Sequence, residues 1–209
     1  MKESEARELI VEMARSMFER RLTFGSSGNI SVKIDGGWLM TPTGSSLGRL
    51  DPARLSKLDE AGTLISGDAP TKESFLHLAM YRERAGAGAV VHLHSTHSVA
   101  VSCLDGINHD DVLPPITAYY VMRVGRLPLI PYYAPGDKTL GEAVGQYAAR
   151  HAAVLLANHG PVVSGSSLSA AVDAIEELEE TARLYLLLHG RPTRYLTPEQ
   201  LADLKRRFP

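Results

Sequence analysis

Residues 89–94 have the sequence Ala-Val-Val-His-Leu-His, in which two histidines follow an apolar run. Its alternation in an apolar setting predicts a buried strand, and residues 95–104 are predicted to form a helix behind it. On a strand, residues two apart face the same side, about 6.6–7 Å apart along the chain. Two imidazoles that lean together there can reach the ~3.3 Å nitrogen separation of a tetrahedral zinc site. His92 and His94 are therefore a candidate metal pair, although two polar residues on a half-exposed strand would show the same pattern.

Two further residues could complete such a site. Residues 154–157 form an apolar strand in our interpretation, and this strand runs into His159, followed by a glycine that permits close backbone approach. The alternative for His159 is a loop histidine with local hydrogen bonds. Glu73 lies in the first turn of a helix predicted to start at Thr71, where the helix dipole favours negative charge. An ordinary glutamate at a helix start is the alternative for Glu73.

Helical and strand patterns mix along the whole chain. Amphipathic spacing and capping residues predict helices over 3–22, 71–84, 95–104 and 167–189, and a last short helix capped by Thr197. Asp51 and Pro52 have the pattern of a further helix start. Strands are predicted over 30–34, 38–41, 63–65, 89–94, 127–131 and 154–157, the first two as a hairpin. Because no repeat or long linker divides the chain, we expect one layered α/β domain over 1–209.

Composition excludes several classes of function. The chain has 209 residues, 44% hydrophobic and 22% charged, with a formal net charge of −2. This balance argues against a nucleic-acid coat or a membrane-surface patch, which need excess positive charge. The single cysteine, Cys103, excludes an internal disulfide, and no apolar run approaches the ~18–20 residues of a membrane span. With no secretory pattern before the first helix, we expect a soluble cytoplasmic protein without nucleic-acid or membrane partners.

Five short motifs then identify a family resemblance. They are Gly28-Asn29-Ile30-Ser31, Thr41-Pro42-Thr43-Gly44, Lys72-Glu73, His92-Leu93-His94-Ser95 and Asn158-His159-Gly160. In this order the chain resembles the class II aldolase/adducin family, which includes fuculose-phosphate aldolase and ribulose-phosphate epimerase. Segments 72–77, 94–100 and 119–125 are most similar to its 3-oxo-tetronate 4-phosphate decarboxylase branch. The resemblance implies an α/β domain whose central, mainly antiparallel sheet is flanked by helices.

The resemblance also implies roles for individual residues. His92, His94 and His159 match three ligands of one Zn²⁺ per subunit, and Glu73 matches a residue that touches the metal at rest and then works as acid/base. The substrate phosphate is expected at Gly28, Asn29, Thr43, Gly44, Thr71 and Lys72. Gly/Ser-rich turns and a helix N-terminus, which offer backbone N–H donors, support that placement independently. Tyr120, or Tyr119 if the register shifts by one, is expected to reach a neighbouring subunit's site in a homotetramer.

Lys72 separates two possible activities. Sugar-phosphate aldolases of the family commonly carry a small hydroxyl residue at this position, whereas a lysine can pair with a phosphate or with a substrate carboxylate. We therefore expect decarboxylation of a 3-oxo-tetronate 4-phosphate to dihydroxyacetone phosphate and CO₂ through a metal-stabilised enediolate. A fuculose-phosphate type of aldolase is the alternative. A metal-free, adducin-like assembly module is a third possibility, against which the four retained metal-site residues argue.

Overall fold

A single eight-stranded sheet organises the protein, described here from a computed structural model over residues 2–208. The strands are β1 (Asn29–Ile34), β2 (Gly37–Met40), β3 (Ser56–Asp59), β4 (Leu64–Ser66), β5 (Ala89–His92), β6 (Leu129–Ile130), β7 (Ala153–Leu156) and β8 (Gly160–Gly165). Their order is β4-β3-β2-β1-β5-β8-β7-β6, and β6 pairs with β7 in parallel while all other neighbours are antiparallel. The expected mainly antiparallel sheet is confirmed.

Helices cover both faces of this sheet. They are α1 (Glu3–Glu19), α2 (Ser74–Glu83), α3 (Thr96–Ser102), α4 (Ala118–Arg123), α5 (Thr139–Ala148), α6 (Leu168–Leu188) and α7 (Pro198–Arg207). The capping residues explain several boundaries. Thr197 and Gln200 form the predicted capping box of α7, and Gly190, with φ +72°, follows the end of α6. The structure therefore confirms the start of α7 and the glycine stop after α6.

Two hydrophobic cores lie on opposite faces of the sheet. On one face, α1 and α6 pack with α4 against alternate strand residues such as Ile30, Val91 and Val163. On the other face, α2 and α5 pack against the intervening residues, among them Val90 and Val162. This alternation follows from the period-two geometry of a strand that is buried on both sides. The result is a three-layer α/β/α domain.

Several expected boundaries need correction. The strand predicted over 89–94 ends at His92, the helix predicted over 3–22 ends at Glu19, and the strand predicted over 127–131 contains only Leu129–Ile130. Asp51 does accept a hydrogen bond from the Ala53 N–H, but the turn it starts is a short 3₁₀ helix over Pro52–Arg54. Strands β3 and β8 and helices α4 and α5 were not predicted. Strand β3 has a single large apolar residue, and β8 begins directly after the β7 turn, so neither shows a separate apolar pattern.

No helix within residues 2–208 is long and apolar enough to cross a membrane.

Gly88 marks a close backbone contact at the start of β5 and generates a stability prediction. A Cβ at Gly88 would lie 2.3 Å from the Ser166 carbonyl oxygen, whereas a Cβ at Gly86 would meet nothing within 4 Å. We expect Gly88→Ala to destabilise the protein by about 1–3 kcal/mol, as overpacking does. That loss corresponds to a fall in melting temperature of roughly 2–12 °C for a domain of this size.

Gly86→Ala, two residues away, is the matched control and should leave the melting temperature close to the wild-type value. Thermal unfolding followed by circular dichroism compares the two variants. Equal melting temperatures for Gly88→Ala and Gly86→Ala would contradict the described contact.

Candidate active site

His92 lies at the end of β5, and one of its ring nitrogens is hydrogen-bonded to the backbone. It pairs across the sheet with Asn29 on β1 and with Val162 on β8. Its Nδ1 lies 2.8 Å from the Pro161 carbonyl oxygen, and because a carbonyl only accepts, Nδ1 carries the proton. The fully buried ring therefore presents the lone pair of Nε2 towards the end of the sheet.

His94 and His159 bring two more imidazoles to the same point. His94 lies two residues beyond the end of β5, and His159 lies in the tight turn between β7 and β8. Gly160 makes this turn possible, because it has φ +154° and a Cβ there would lie 2.3 Å from the Leu93 carbonyl oxygen. The predicted close approach at this glycine is confirmed, and the predicted pair of histidines meets even though only the first is on the strand.

The three Nε2 atoms form a small triangle. The separations are 3.1 Å for His92 and His94, 3.3 Å for His92 and His159, and 3.1 Å for His94 and His159. They match the ~3.3 Å expected between ligands of a tetrahedral ion with bonds of ~2.0–2.1 Å. With Glu73, all four ligand atoms lie within 4.8 Å of one another. The residues therefore fit a divalent metal ion, and their mixed nitrogen and carboxylate donors suit an ion such as zinc.

Glu73 faces this triangle from the opposite side. Its Oε1 lies 3.1 Å from His159 Nε2, and its Oε2 lies 3.5 Å from His92 Nε2. The prediction that Glu73 occupies the first turn of the helix is wrong, because α2 begins at Ser74 and Glu73 is its N-cap. Thr71 accepts the N–H of Glu73 at its Oγ1 and that of Ser74 at its carbonyl, so a turn precedes the helix. This turn projects the carboxylate away from the helix and towards the histidines.

The surroundings set the charge of the site. Burial, together with the neighbouring imidazoles, lowers the pKa of His92 to about 3, and burial also lowers the pKa of His94. Both rings are thus neutral at neutral pH, the form that binds metal. Burial by itself raises the pKa of the Glu73 carboxyl, but hydrogen bonds with His159 and the Asn29 amide hold that pKa below its usual 4.5. The site therefore combines the neutral imidazoles of His92 and His94 with one carboxylate anion.

Three segments that carry the expected phosphate residues meet at this end of the sheet. The Thr41 Oγ1 accepts the Ile30 N–H, and the Thr71 N–H donates to the Thr41 carbonyl, so the segments around residues 29, 42 and 71 adjoin. Asn29 donates from Nδ2 to Glu73 Oε2 at 2.7 Å. Gly28 is packed against the His92 carbonyl oxygen, and Thr71 is buried.

The remaining three expected phosphate residues are more exposed. Thr43 and Gly44 line a surface cavity of about 460 Å³ that also contains Gly25 and Ser26. Lys72 is exposed beside Glu73. The six residues expected at the phosphate therefore lie in three adjoining segments, two of which contact Glu73 or a metal ligand directly.

A separate cleft of about 550 Å³ opens beside the metal-site residues. Glu73, His94 and His159 line its floor, and the exposed rings of Phe24 and Tyr132 stand at its sides. The cleft has the size of a small-molecule site. A small substrate can therefore reach the histidines and Glu73 from solvent.

Tyr120 is not placed where we expected. Its side chain is 1% exposed within the core of the α4 face, and its hydroxyl has no hydrogen-bond partner among the described residues. Burial raises the pKa of this hydroxyl above its usual value. The prediction that Tyr120 extends out of its own subunit is therefore wrong, because its side chain is buried in the core of that subunit. Tyr119 is the exposed neighbour, 62% accessible, with the Arg123 guanidinium above its ring.

Two supporting residues were missed from the sequence. Glu179, on α6, accepts hydrogen bonds from the backbone N–H groups of His97 and Ser98 and so caps α3, the helix that follows His94. Glu179 follows His97 by 82 positions, so there is no local sequence signal for this contact. His77, which was also missed, forms a hydrogen bond with the side chain of Asn29. It lies four residues after Glu73, and this i,i+4 spacing could have indicated that the two side chains are neighbours on one helix face.

Comparisons with known proteins agree with this geometry. The sequence profile described as "Class II Aldolase and Adducin N-terminal domain" matches residues 8–186. The 3-oxo-tetronate 4-phosphate decarboxylase of Escherichia coli strain K12 is 52% identical over 204 residues, 97% of this chain and 96% of that protein. The L-fuculose phosphate aldolase of Methanocaldococcus jannaschii is 35% identical over 178 residues, 85% of this chain and 93% of that protein.

A solved structure shows the same fold. The crystal structure of YgbL from Escherichia coli superposes with a TM-score of 0.95 at 50% identity, covering 97% of this chain and 99% of that one. The profile match, the sequence relatives and this fold agree along nearly the whole chain. The chain therefore belongs to the class II aldolase and adducin family, within its enzymatic lyases.

Proposed function

We propose that the protein is a zinc-dependent decarboxylase that converts a 3-oxo-tetronate 4-phosphate to dihydroxyacetone phosphate and CO₂. The observation that carries the proposal is the cluster of three imidazole Nε2 atoms with Glu73 opposite them, open to a cleft. The choice of reaction rests on the 52% identity to a protein named for that decarboxylation. An aldolase that splits a ketose 1-phosphate is the second candidate, favoured by the 35% identity to an L-fuculose phosphate aldolase.

His92, His94 and His159 would hold the zinc ion, and Glu73 would contact it in the resting site. When bound, the ion supplies Lewis-acid stabilisation of the negative charge that develops on substrate oxygen as CO₂ leaves. The histidines can hold the ion without Glu73, because their Nε2 atoms already form three corners of a tetrahedron. Glu73 would therefore be free to leave the ion when substrate enters, and the three histidines would still hold it.

Glu73 is the general acid that transfers the proton to the substrate. Loss of CO₂ from a 3-oxo acid breaks the C1–C2 bond and leaves the electron pair at C2, delocalised into the C3 carbonyl as an enediolate. C2 then needs one proton to become the hydroxymethyl carbon of dihydroxyacetone phosphate. Once the substrate displaces it, Glu73 takes up a proton from solvent and delivers it to C2. Asn29, which donates to Glu73 Oε2, keeps the carboxyl group within reach.

The two anionic ends of the substrate need separate partners. We place the phosphate against Gly28, Asn29, Thr43, Gly44 and Thr71, since the three segments that carry them adjoin Glu73. Lys72 supplies a full positive charge at their edge, for the phosphate or for the carboxylate that departs as CO₂. An aldolase substrate has no such carboxylate, which favours the decarboxylase assignment.

The assembly and location follow as parts of the same proposal. We propose that residues 1–209 form one domain, although Met1 and Pro209 lie outside the described residues, and that four copies form a homotetramer with sites between subunits. Tyr119, whose ring is exposed, then replaces Tyr120 as the tyrosine offered to a neighbouring site. We further propose a cytoplasmic enzyme with no nucleic-acid or membrane partner, in keeping with the net charge of −2.

Two substrates and one variant test the function. With zinc-loaded protein, a 3-oxo-tetronate 4-phosphate should give CO₂ and dihydroxyacetone phosphate in equal amounts, and fuculose 1-phosphate should give no aldehyde. Glu73→Gln should lower kcat by about 10²–10⁴-fold, the usual contribution of a positioned acid/base, because the amide cannot carry the proton. Its zinc content should stay at one ion per chain.

Glu83→Gln is the matched control, since it makes the same change at the exposed C-terminal end of α2 and should keep wild-type turnover. Aldehyde release from fuculose 1-phosphate without any decarboxylation would establish the second candidate instead. Near-normal turnover by Glu73→Gln would refute the proton-transfer role.

A further inference from the structure

A line of five hydrogen-bonded side chains runs from the core to Glu73. The Tyr81 hydroxyl lies 2.9 Å from Ser31 Oγ, and Ser31 Oγ lies 2.7 Å from His77 Nδ1. His77 Nε2 lies 2.5 Å from Asn29 Oδ1, and Asn29 Nδ2 lies 2.7 Å from Glu73 Oε2. The line links the second hydrophobic core, where Tyr81 packs, to the carboxylate at the metal-site histidines.

Only one arrangement of hydrogen-bond donors and acceptors fits the whole line. The Glu73 carboxylate accepts, so Asn29 must turn its NH₂ towards it and its carbonyl oxygen towards His77. A carbonyl oxygen only accepts, so His77 Nε2 carries the ring proton. Burial lowers the pKa of His77 to about 4, and the neutral ring therefore has an acceptor at Nδ1.

The other end of the line obeys the same constraint. Because His77 Nδ1 accepts, the Ser31 hydroxyl must donate to it, and Tyr81 must donate to Ser31. One orientation thus satisfies all four hydrogen bonds. Reversing the Asn29 amide would place two acceptors, its oxygen and the Glu73 carboxylate, against each other.

Water cannot replace these partners. His77 and Ser31 are fully buried, and Asn29 is 5% exposed. A lost donor at His77 would leave the buried Asn29 carbonyl oxygen unsatisfied, so the Asn29 side chain would lose the contact that anchors it beside Glu73 and could shift towards another donor. Since Asn29 is the only side-chain amide that contacts Glu73 in residues 2–208, the carboxylate would then lose the contact that orients it.

We propose that His77 is a positioning residue: its Nε2–H fixes the orientation of the Asn29 amide, and that amide holds the Glu73 carboxylate at the metal centre. His77 touches neither the metal ligands' nitrogen atoms nor the cleft, and so acts only through Asn29. The effect on turnover rests on the proposed function. The effect on where Glu73 sits does not, and it is measurable without any substrate.

Two substitutions of His77 distinguish a positioning role from a role in core packing alone. In His77→Gln, the side-chain NH₂ can take the place of Nε2 and donate to Asn29. In His77→Asn, the shorter side chain can still accept from Ser31 but does not reach Asn29. Both remove the buried ring, so a histidine that only fills space predicts the same outcome for both.

The first readout is the visible absorption spectrum of the cobalt(II)-loaded protein, which reports the number of metal ligands. His77→Gln should give the wild-type spectrum, and His77→Asn should give the spectrum of Glu73→Gln, in which the carboxylate is missing. The second readout is turnover. His77→Asn should lower kcat by about 10²-fold with little change in KM, as a misplaced group does, whereas His77→Gln should stay within a few-fold of wild type.

Met80→Ala controls for loss of stability, because Met80 is a buried core residue of the same helix and lies outside the line. It should lower the melting temperature and leave the cobalt spectrum unchanged. If His77→Asn and His77→Gln have the same spectrum and the same kcat, the proposal is overturned. If wild-type protein does not turn over the phosphorylated 3-oxo acid, the proposed function fails, and the spectra still decide the role of His77.

Should either variant fail to fold, the wild-type tautomer provides the test. Long-range ¹⁵N–¹H NMR correlation on protein with labelled histidine assigns the ring proton of His77. A proton on Nε2 supports the proposal, and a proton on Nδ1 overturns it.

Discussion

Three imidazole Nε2 atoms point at one place, and this arrangement constrains the structure around it. The Nε2 atoms of His92, His94 and His159 are only 3.1–3.3 Å apart, so lone pairs on these atoms repel one another unless a cation or a proton lies between them. A divalent cation at the centre would turn this repulsion into attraction, and the carboxylate of Glu73 would offset one of its two charges. The fold therefore has to hold the rings in place from outside, through bonds that do not involve the metal.

The sheet supplies that support. Strand β5 lies between β1 and β8, so the chain at His92 is hydrogen-bonded on both sides, and the Pro161 carbonyl fixes the protonated nitrogen of its ring. The β7–β8 turn brings His159 back against the same strand. Beyond the strand, α6 reaches across with Glu179 to cap α3, which fixes the chain after His94. On the opposite face, α2 contributes both Glu73 at its N-cap and His77 beneath it.

The candidate metal-site histidines could be named from sequence, but the local pattern alone left ordinary alternatives open. A histidine pair at the end of an apolar strand, and a histidine before a glycine at the end of another, suggested a metal site, and the resemblance to the class II aldolase/adducin family joined the three into one set. Tyr119 and Tyr120 could not be separated, because neighbouring residues of a short helix differ in exposure only through what packs on them. Asn29 and Glu179 act through partners 44 and about 80 residues away, and such contacts depend on the pairing order of the strands and helices. Strand β3 was not predicted for a related reason. Its hydrogen bonds to β2, and not its own composition, make this segment a strand.

The proposed function requires that His92, His94 and His159 together hold one divalent cation. Crystals of the zinc-loaded protein, measured on both sides of the zinc absorption edge, test it most directly. The account predicts a single anomalous peak per chain, at a bonding distance of about 2.0–2.1 Å from the three Nε2 atoms. A zinc-saturated protein with no peak between these rings, or with its zinc bound elsewhere, would contradict the account.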